Sequence, residues 1–168
     1  DAHWALYCEN YLEGFHISYV HKGLSSDIEN NSYKTIALNH SVLQIAKSQN
    51  KDDSLGGKKL IYDIPLNDVY ALYFWLFPNI MLNFYYWGIS VNIIEPLSKE
   101  KTRIRFISLP LKGHKQSAGN NNSVDQIELE DQKIVLNVQK GIKSKFYDRG
   151  RYSAEHEICL LYTSDAAD

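Results

Sequence analysis

Between residues 123 and 147 the sequence places Val124, Ile127, Val135, Val138, Ile142 and Phe146 three or four positions apart, with Asp131 in the same series. At 3.6 residues per turn this spacing predicts one long helix with a single apolar stripe, and Ser123 with Gln126 supplies a capping box at its start. Such a stripe must be covered by another layer of structure. The preceding sequence offers a sheet. Residues 73–77 form a β-prone run, Pro78-Asn79 makes a turn, and residues 81–94 form a second run. Residues 95–101 turn the chain into 102–109, where Ile104, Phe106 and Ser108 face opposite to Arg103, Arg105 and Ile107. These segments predict an antiparallel meander.

Residues 4–21 carry helical spacing in Leu6, Tyr11, Leu12 and Phe15, with no proline, and Gly23, Ser25 and Ser26 end that helix. Residues 27–59 alternate weakly around Tyr33, Ile36, Leu38, Val42 and Ile45, which predicts two short strands, with a loop over 47–59. Residues 112–122 are polar and small, a connection into the long helix. The order helix, strands, long helix predicts an α+β domain. A twisted antiparallel sheet wraps the C-terminal helix in the helix-grip, START-like manner.

A chain of 168 residues is one domain in size. Its net charge of -2 and 23% charged residues point away from a nucleic-acid surface and from a disordered acidic tail. The apolar stretch 69–94 is interrupted by Pro78, Asn79, Asn83 and Gly88, so it predicts strands rather than a membrane span. Two cysteines, Cys8 and Cys159, exclude a disulfide scaffold and an all-cysteine or Cys₂His₂ metal site within the chain, and predict a reducing, cytoplasmic setting. The sequence opens at Asp1 without methionine, and its last ten residues, CLLYTSDAAD, resemble a translated sequencing adaptor. The expectation is a domain fragment over 1–158 and a non-native tail over 159–168.

Asp131 is the one charged residue of the predicted apolar stripe, and an unpaired buried carboxylate is costly. A cation, a buried Lys or Arg, or a rotated and exposed helix face would each relieve it. His16 and His21 are five apart, so on an ideal helix they point about 140° from each other. They converge on one ion only if the helix ends or bulges between them. No HExxH is present to suggest a zinc protease. Two imidazoles and one carboxylate on one side of a metal, with open positions opposite, form the facial set of non-haem ferrous oxygenases, which activate oxygen at those open positions.

The segment CENYLEGFHISYVHKGL resembles the iron-binding signature of the large (alpha) subunits of Rieske ring-hydroxylating oxygenases, through Asn10, Tyr11, Glu13, His16 and His21. The later ELEDQKIVLNVQKGIKSKFYDRGRYS is similar to the family's acidic pair, glutamine and Gly-Arg-x-Ser stretch, and FPNIMLNFYYWGISVNIIEPLS resembles its central strands. The resemblance spans residues 4–156 and implies a mononuclear Fe(II) held by His16, His21 and Asp131. It implies that Glu13, one helical turn before His16, bridges electrons from a Rieske [2Fe-2S] cluster, and that Asn10 sits close to the iron. Glu13 replaces the Asp usual there. The chain contains no CxH and CxxH pair, so the cluster domain is expected upstream of Asp1; the resemblance further implies a homo-oligomeric, trimeric ring in which the electron comes from a neighbouring subunit's cluster. The implied partners are O2, a small organic substrate, aromatic or quaternary ammonium, and an electron-donor reductase or ferredoxin. Two other readings are a metal-free domain binding an apolar ligand and a zinc hydrolase using the same triad; no general base is recognisable for the latter.

His3, His40, His114 and His156 lack ligand-spaced partners and are expected at the surface or as caps. Tyr73, Trp75, Phe84, Tyr85, Tyr86 and Trp87 are expected mostly in the sheet core, with alternate members available to line a cavity. Lys140, Lys143, Lys145, Arg149 and Arg151 fit the negative end of the helix dipole on a solvated face, or a docking surface for an acidic partner. Cys8 is expected as a small buried helix residue.

Overall fold

A computed structural model describes residues 1–14, 16–29, 33–57, 59–114, 124–153 and 157. The predicted capping Ser123, most of the predicted 112–122 connection, His156 and the tail at 159–168 lie outside the described residues.

Six strands make one antiparallel sheet. They are β1 (Lys34–Leu38), β2 (Ser41–Lys47), β5 (Val69–Leu76), β6 (Ile80–Tyr85), β7 (Gly88–Ser98) and β8 (Lys101–Pro110), adjacent in that order. A small hairpin of β3 (Leu60–Ile61) and β4 (Ile64–Pro65) interrupts the meander between β2 and β5. Three short helices precede the sheet, α1 (Trp4–Leu12), α2 (Ile17–Val20) and α3 (Lys22–Ser25), and α4 (Val124–Gly141) follows it. The α+β architecture with a C-terminal helix is the one expected.

Each sheet face has its own job, because successive side chains on a strand point to opposite sides. Towards the helices, Val42, Trp75, Met81 and Ile94 pack with Tyr7, Cys8 and Leu12 of α1 and Val135 of α4. On the opposite face Leu43, Ile45, Val69 and Leu72 form a second core that Ile61 and Ile64 of the small hairpin help cover. One register step along the helix-facing side, Gln44, Tyr73, Asn83 and Ser90 lie opposite one another across four strands. All four are buried. The middle two, Tyr73 and Asn83, face a recess and give it a polar floor, while Gln44 is bonded to the Tyr11 carbonyl at 2.8 Å.

Three expectations change. The helix predicted over 4–21 is two helices, with a third, α3, following over the residues expected to end it, because the chain turns extended at Glu13 (φ -113°, ψ 142°) and leaves helical geometry again at His21 (φ -100°, ψ 73°). The run 81–94 is two strands joined at Tyr86-Trp87, where Gly88 adopts φ 151° and its bare Cα faces the β8 backbone. The long helix ends at Gly141. Its buried face follows Val124, Glu128, Val135 and Gln139, while Val138 and Phe146 are exposed, because Gln139 turns inward to accept a 2.7 Å hydrogen bond from the His3 backbone. His3 itself caps α1, its Nδ1 accepting from the Ala5 backbone at 3.2 Å.

Candidate metal centre

The break after α1 is what brings the two imidazoles together. Gly14 lies beneath the Tyr33 ring so closely that a Cβ there would sit 2.9 Å from it. His16 then opens α2 and His21 closes it, so a single turn separates them rather than a continuous helix. Their rings stand edge to face with centroids 5.1 Å apart. Asp131 meets them from the middle of α4. His21 Nε2 lies 3.0 Å and His16 Nε2 3.5 Å from the same Asp131 Oδ1, and the three residues' donor atoms fall within 4.8 Å of one another.

Both imidazoles are anchored from behind. His16 Nδ1 is 2.5 Å from Glu13 Oε1, and His21 Nδ1 is 2.8 Å from Glu130 Oε2. A ring nitrogen held as N–H by a carboxylate leaves the other nitrogen's lone pair for a metal. Asn10 Nδ2 donates to Asp131 Oδ1 at 2.8 Å, fixing the acid as well. Two nitrogens and one oxygen, oriented by their neighbours, fit a divalent first-row metal, and the sequence-predicted triad is the set brought together.

Burial lowers the His16 imidazole's pKa, but hydrogen bonds with Asp131 and Glu13 outweigh it and raise the value to about 9. His21 is raised as well; burial opposes the shift and the Asp131 hydrogen bond drives it. For Asp131, burial pushes upward, and the hydrogen bonds from both imidazoles outweigh it, holding the carboxyl at about 2.

Glu13 reaches His16 by a different route from the one expected. It lies beyond α1 in extended backbone, and its carboxylate curls back to accept from the His16 backbone N–H at 3.1 Å as well as meeting the ring. Two further acids escaped the sequence reading. Glu130 holds His21, and Glu128 is a second charged residue buried in the α4 stripe, where Asp131 alone was expected. The spacing contained the signal, since Glu128 stands three residues before Asp131 on the same helical face.

A recess of about 580 Å³, open mouth included, begins at the triad and runs along the polar floor. Tyr7, Tyr11, Tyr33, Tyr73 and Tyr85 contribute to its wall, with Asn83, Asn92 and Glu128. Of the aromatic residues expected in the sheet, Tyr73 and Tyr85 line it, Trp75 lies in the core, and Trp87 is buried, stacked on Tyr85 at 5.1 Å. The basic residues Lys140, Lys143, Lys145, Arg149 and Arg151 are exposed, and Lys143 pairs with Glu100 at 2.8 Å.

The chloroplastic choline monooxygenase of Arabidopsis thaliana is 30% identical to this chain over 172 residues, covering 96% of the chain and 39% of its own length. The corresponding protein of Amaranthus tricolor is 26% identical over 161 residues, covering 90% of the chain and 34% of itself. This chain thus spans little more than a third of these relatives. Among solved structures, a quaternary ammonium Rieske monooxygenase described for carnitine oxidation and inter-subunit electron transfer superposes with a TM-score of 0.63 at 22% identity, over 86% of this chain and 39% of that one. The apo form of the quaternary ammonium Rieske monooxygenase CntA gives 0.61 at 18% identity, over 98% of this chain and 43% of that one. These likenesses establish the fold. Residues 1–165 match the family described as the ring hydroxylating alpha subunit (catalytic domain), and the chain belongs to that family.

Proposed function

We propose that this chain is the catalytic domain of a Rieske-type oxygenase, with His16, His21 and Asp131 holding one ferrous ion. The observation that carries this reading is the convergence of two Nε2 atoms on one Asp131 oxygen, each imidazole backed by its own carboxylate. Ferrous iron bound there would supply the redox centre at which O2 is activated. The protein's part is to orient and to exclude. Glu13 and Glu130 hold the Nδ1 protons, Asn10 steadies the Asp131 carboxylate, and the tyrosine wall shields the site from bulk water.

The family resemblance supports Glu13 as the route for electrons from a Rieske [2Fe-2S] cluster, and its carboxylate meets the His16 ring directly. By the same resemblance, a [2Fe-2S] cluster outside this chain, a separate reductase or ferredoxin that charges it, and a trimeric assembly complete this reading. For the substrate, the relatives' names support a quaternary ammonium compound, monooxygenated. The recess agrees, since its described wall carries tyrosines and carboxylates and no Lys or Arg that would pair with an aromatic acid. A reducing compartment is consistent with Cys8, a buried free thiol, and no helix among the described residues is long and apolar enough to cross a membrane.

Anaerobic titration with ferrous iron tests the reading. One equivalent binds the wild-type protein and none binds Asp131→Ala; a wild type that binds no iron overturns the oxygenase and leaves a metal-free domain with an apolar-ligand cavity.

A further inference from the structure

Glu128 stands one helical turn before Asp131, in the wall of the same recess, and is 8% exposed. Its hydrogen bonds come from neutral groups. Tyr7 Oη donates to one carboxylate oxygen, and Asn92 Nδ2 donates to the other at 2.8 Å. No Lys or Arg lines the recess among the described residues. No charged group among the described residues hydrogen-bonds the carboxylate, and the His21 imidazole acts on it only through space while itself tied to Asp131 and Glu130, so the acid keeps a desolvation cost that a cation in the recess would relieve. Burial accordingly pushes the Glu128 carboxyl up to about 7, whereas Asp131, paired with two imidazoles, is held at about 2. Two acids on successive turns of one helix are in opposite electrostatic situations.

The surroundings specify which cation. Tyr73 is ringed by Tyr11, Tyr33 and Tyr85, with centroid separations of 6.4, 6.2 and 6.0 Å. Aromatic faces attract a positive charge without needing hydrogen bonds from it. The Glu128 oxygens already accept one hydrogen bond each from the protein, so the group offers chiefly its field. Independently, Asn92 Oδ1 is buried without a hydrogen-bond partner among the described residues, although the other end of that amide is fixed on Glu128. An unmet acceptor at this point calls for a donor on the ligand.

We infer that Glu128 is a specificity-determining residue, the counter-anion for the ammonium head of a substrate whose hydroxyl donates to Asn92 Oδ1. The inference rests on the proposed oxygenase function for the location of the substrate, but it makes a separate claim about charge. Glu128 does not touch the metal ligands through any hydrogen bond described, so it selects the substrate rather than building the metal site.

The test compares choline with 3,3-dimethylbutan-1-ol, its uncharged analogue of nearly the same shape, by anaerobic calorimetry on protein given one equivalent of ferrous iron. The wild type prefers choline by roughly tenfold or more, the scale of a desolvated ion pair aided by aromatic faces. Glu128→Gln abolishes most of that preference, read as the ratio of the two affinities so that a common loss through Asn92 cancels, and circular dichroism with iron content reports an intact fold. Glu128→Asp, keeping the charge, retains part of it. Equal affinities in the wild type overturn the inference, as does a preference that survives Glu128→Gln or wild-type protein that binds neither compound. If Glu128→Gln does not fold, the wild type and Glu128→Asp still decide: a wild-type preference that Glu128→Asp retains in part supports the inference. Iron content in the same samples separates the two claims. Charge preference without bound iron defeats the oxygenase reading alone; bound iron without charge preference defeats this one alone.

Discussion

His16 and His21 look equivalent in the sequence and are not equivalent in the fold. The carboxylate behind His16 is 10% exposed and the one behind His21 is 28% exposed. Replacing such an anchor typically weakens a metal site about 10- to 100-fold. Glu13→Gln therefore falls near the upper end of that range and Glu130→Gln near the lower, as read by anaerobic ferrous titration. The same residues give a pH signature. His16 has a pKa raised from 6.5 to about 9, so the stability from its contacts is fully present below pH 6.5 and is lost as pH rises through 9. Asp131 is lowered from 3.8 to about 2, so its contribution is present above pH 3.8 and is lost as pH falls through 2. Without added metal the melting temperature falls between pH 6.5 and 9, and ferrous affinity rises over that interval as the competing proton leaves. A flat melting temperature across it would contradict the described contacts. At this scale the triad was legible because a family-like signature contained it. Glu130 was not, because nothing in ELED marks it as the partner of His21; Glu128 was half legible, its spacing to Asp131 placing it on the same helical face while only packing shows that it is buried.

The elements were legible wherever periodicity was uninterrupted. The meander and the long helix announce themselves through runs of alternating or three-and-four spacing. The N-terminal helix misled because apolar spacing continues through Glu13 and Gly14, although the chain there is tied by a tertiary contact, the Tyr33 ring over Gly14, and by the local turn in which the Glu13 carboxylate meets His16. Intrinsic propensity cannot register such contacts. The join between β6 and β7 was half legible, since Gly88 interrupts the apolar stretch while the residues on both sides of it are β-prone. Its backbone evidence is Gly88, where a Cβ would lie 2.3 Å from the Leu109 carbonyl oxygen at φ 151°. Gly88→Ala is expected to destabilise by about 2–3 kcal/mol, because both strain and a backbone clash are added. Chemical denaturation measures it, and a change below about 0.5 kcal/mol, the range of an ordinary surface substitution, would show that the β8 backbone yields there.

For the whole molecule, the proposed ion joins the two ends of the chain, since Asp131 lies 110 residues beyond His21. Binding that occurs only in the folded state stabilises it, by about 2.7 kcal/mol at a hundredfold excess over the dissociation constant. For a chain of this size that corresponds to a rise of roughly 5–10 °C in melting temperature. Scanning calorimetry with and without ferrous iron checks it, and Asp131→Asn should remove the shift. The row Gln44, Tyr73, Asn83 and Ser90 carries a different consequence. Each of these residues has an apolar strand neighbour on the other face, such as Leu43, Phe74, Leu82 and Val91. A one-residue insertion inside β5 or β6 would exchange floor for grease and send the polar groups into the second core. Descendants of this sequence can retune what the chamber admits by single replacements, whereas insertions and deletions are confined to its rim.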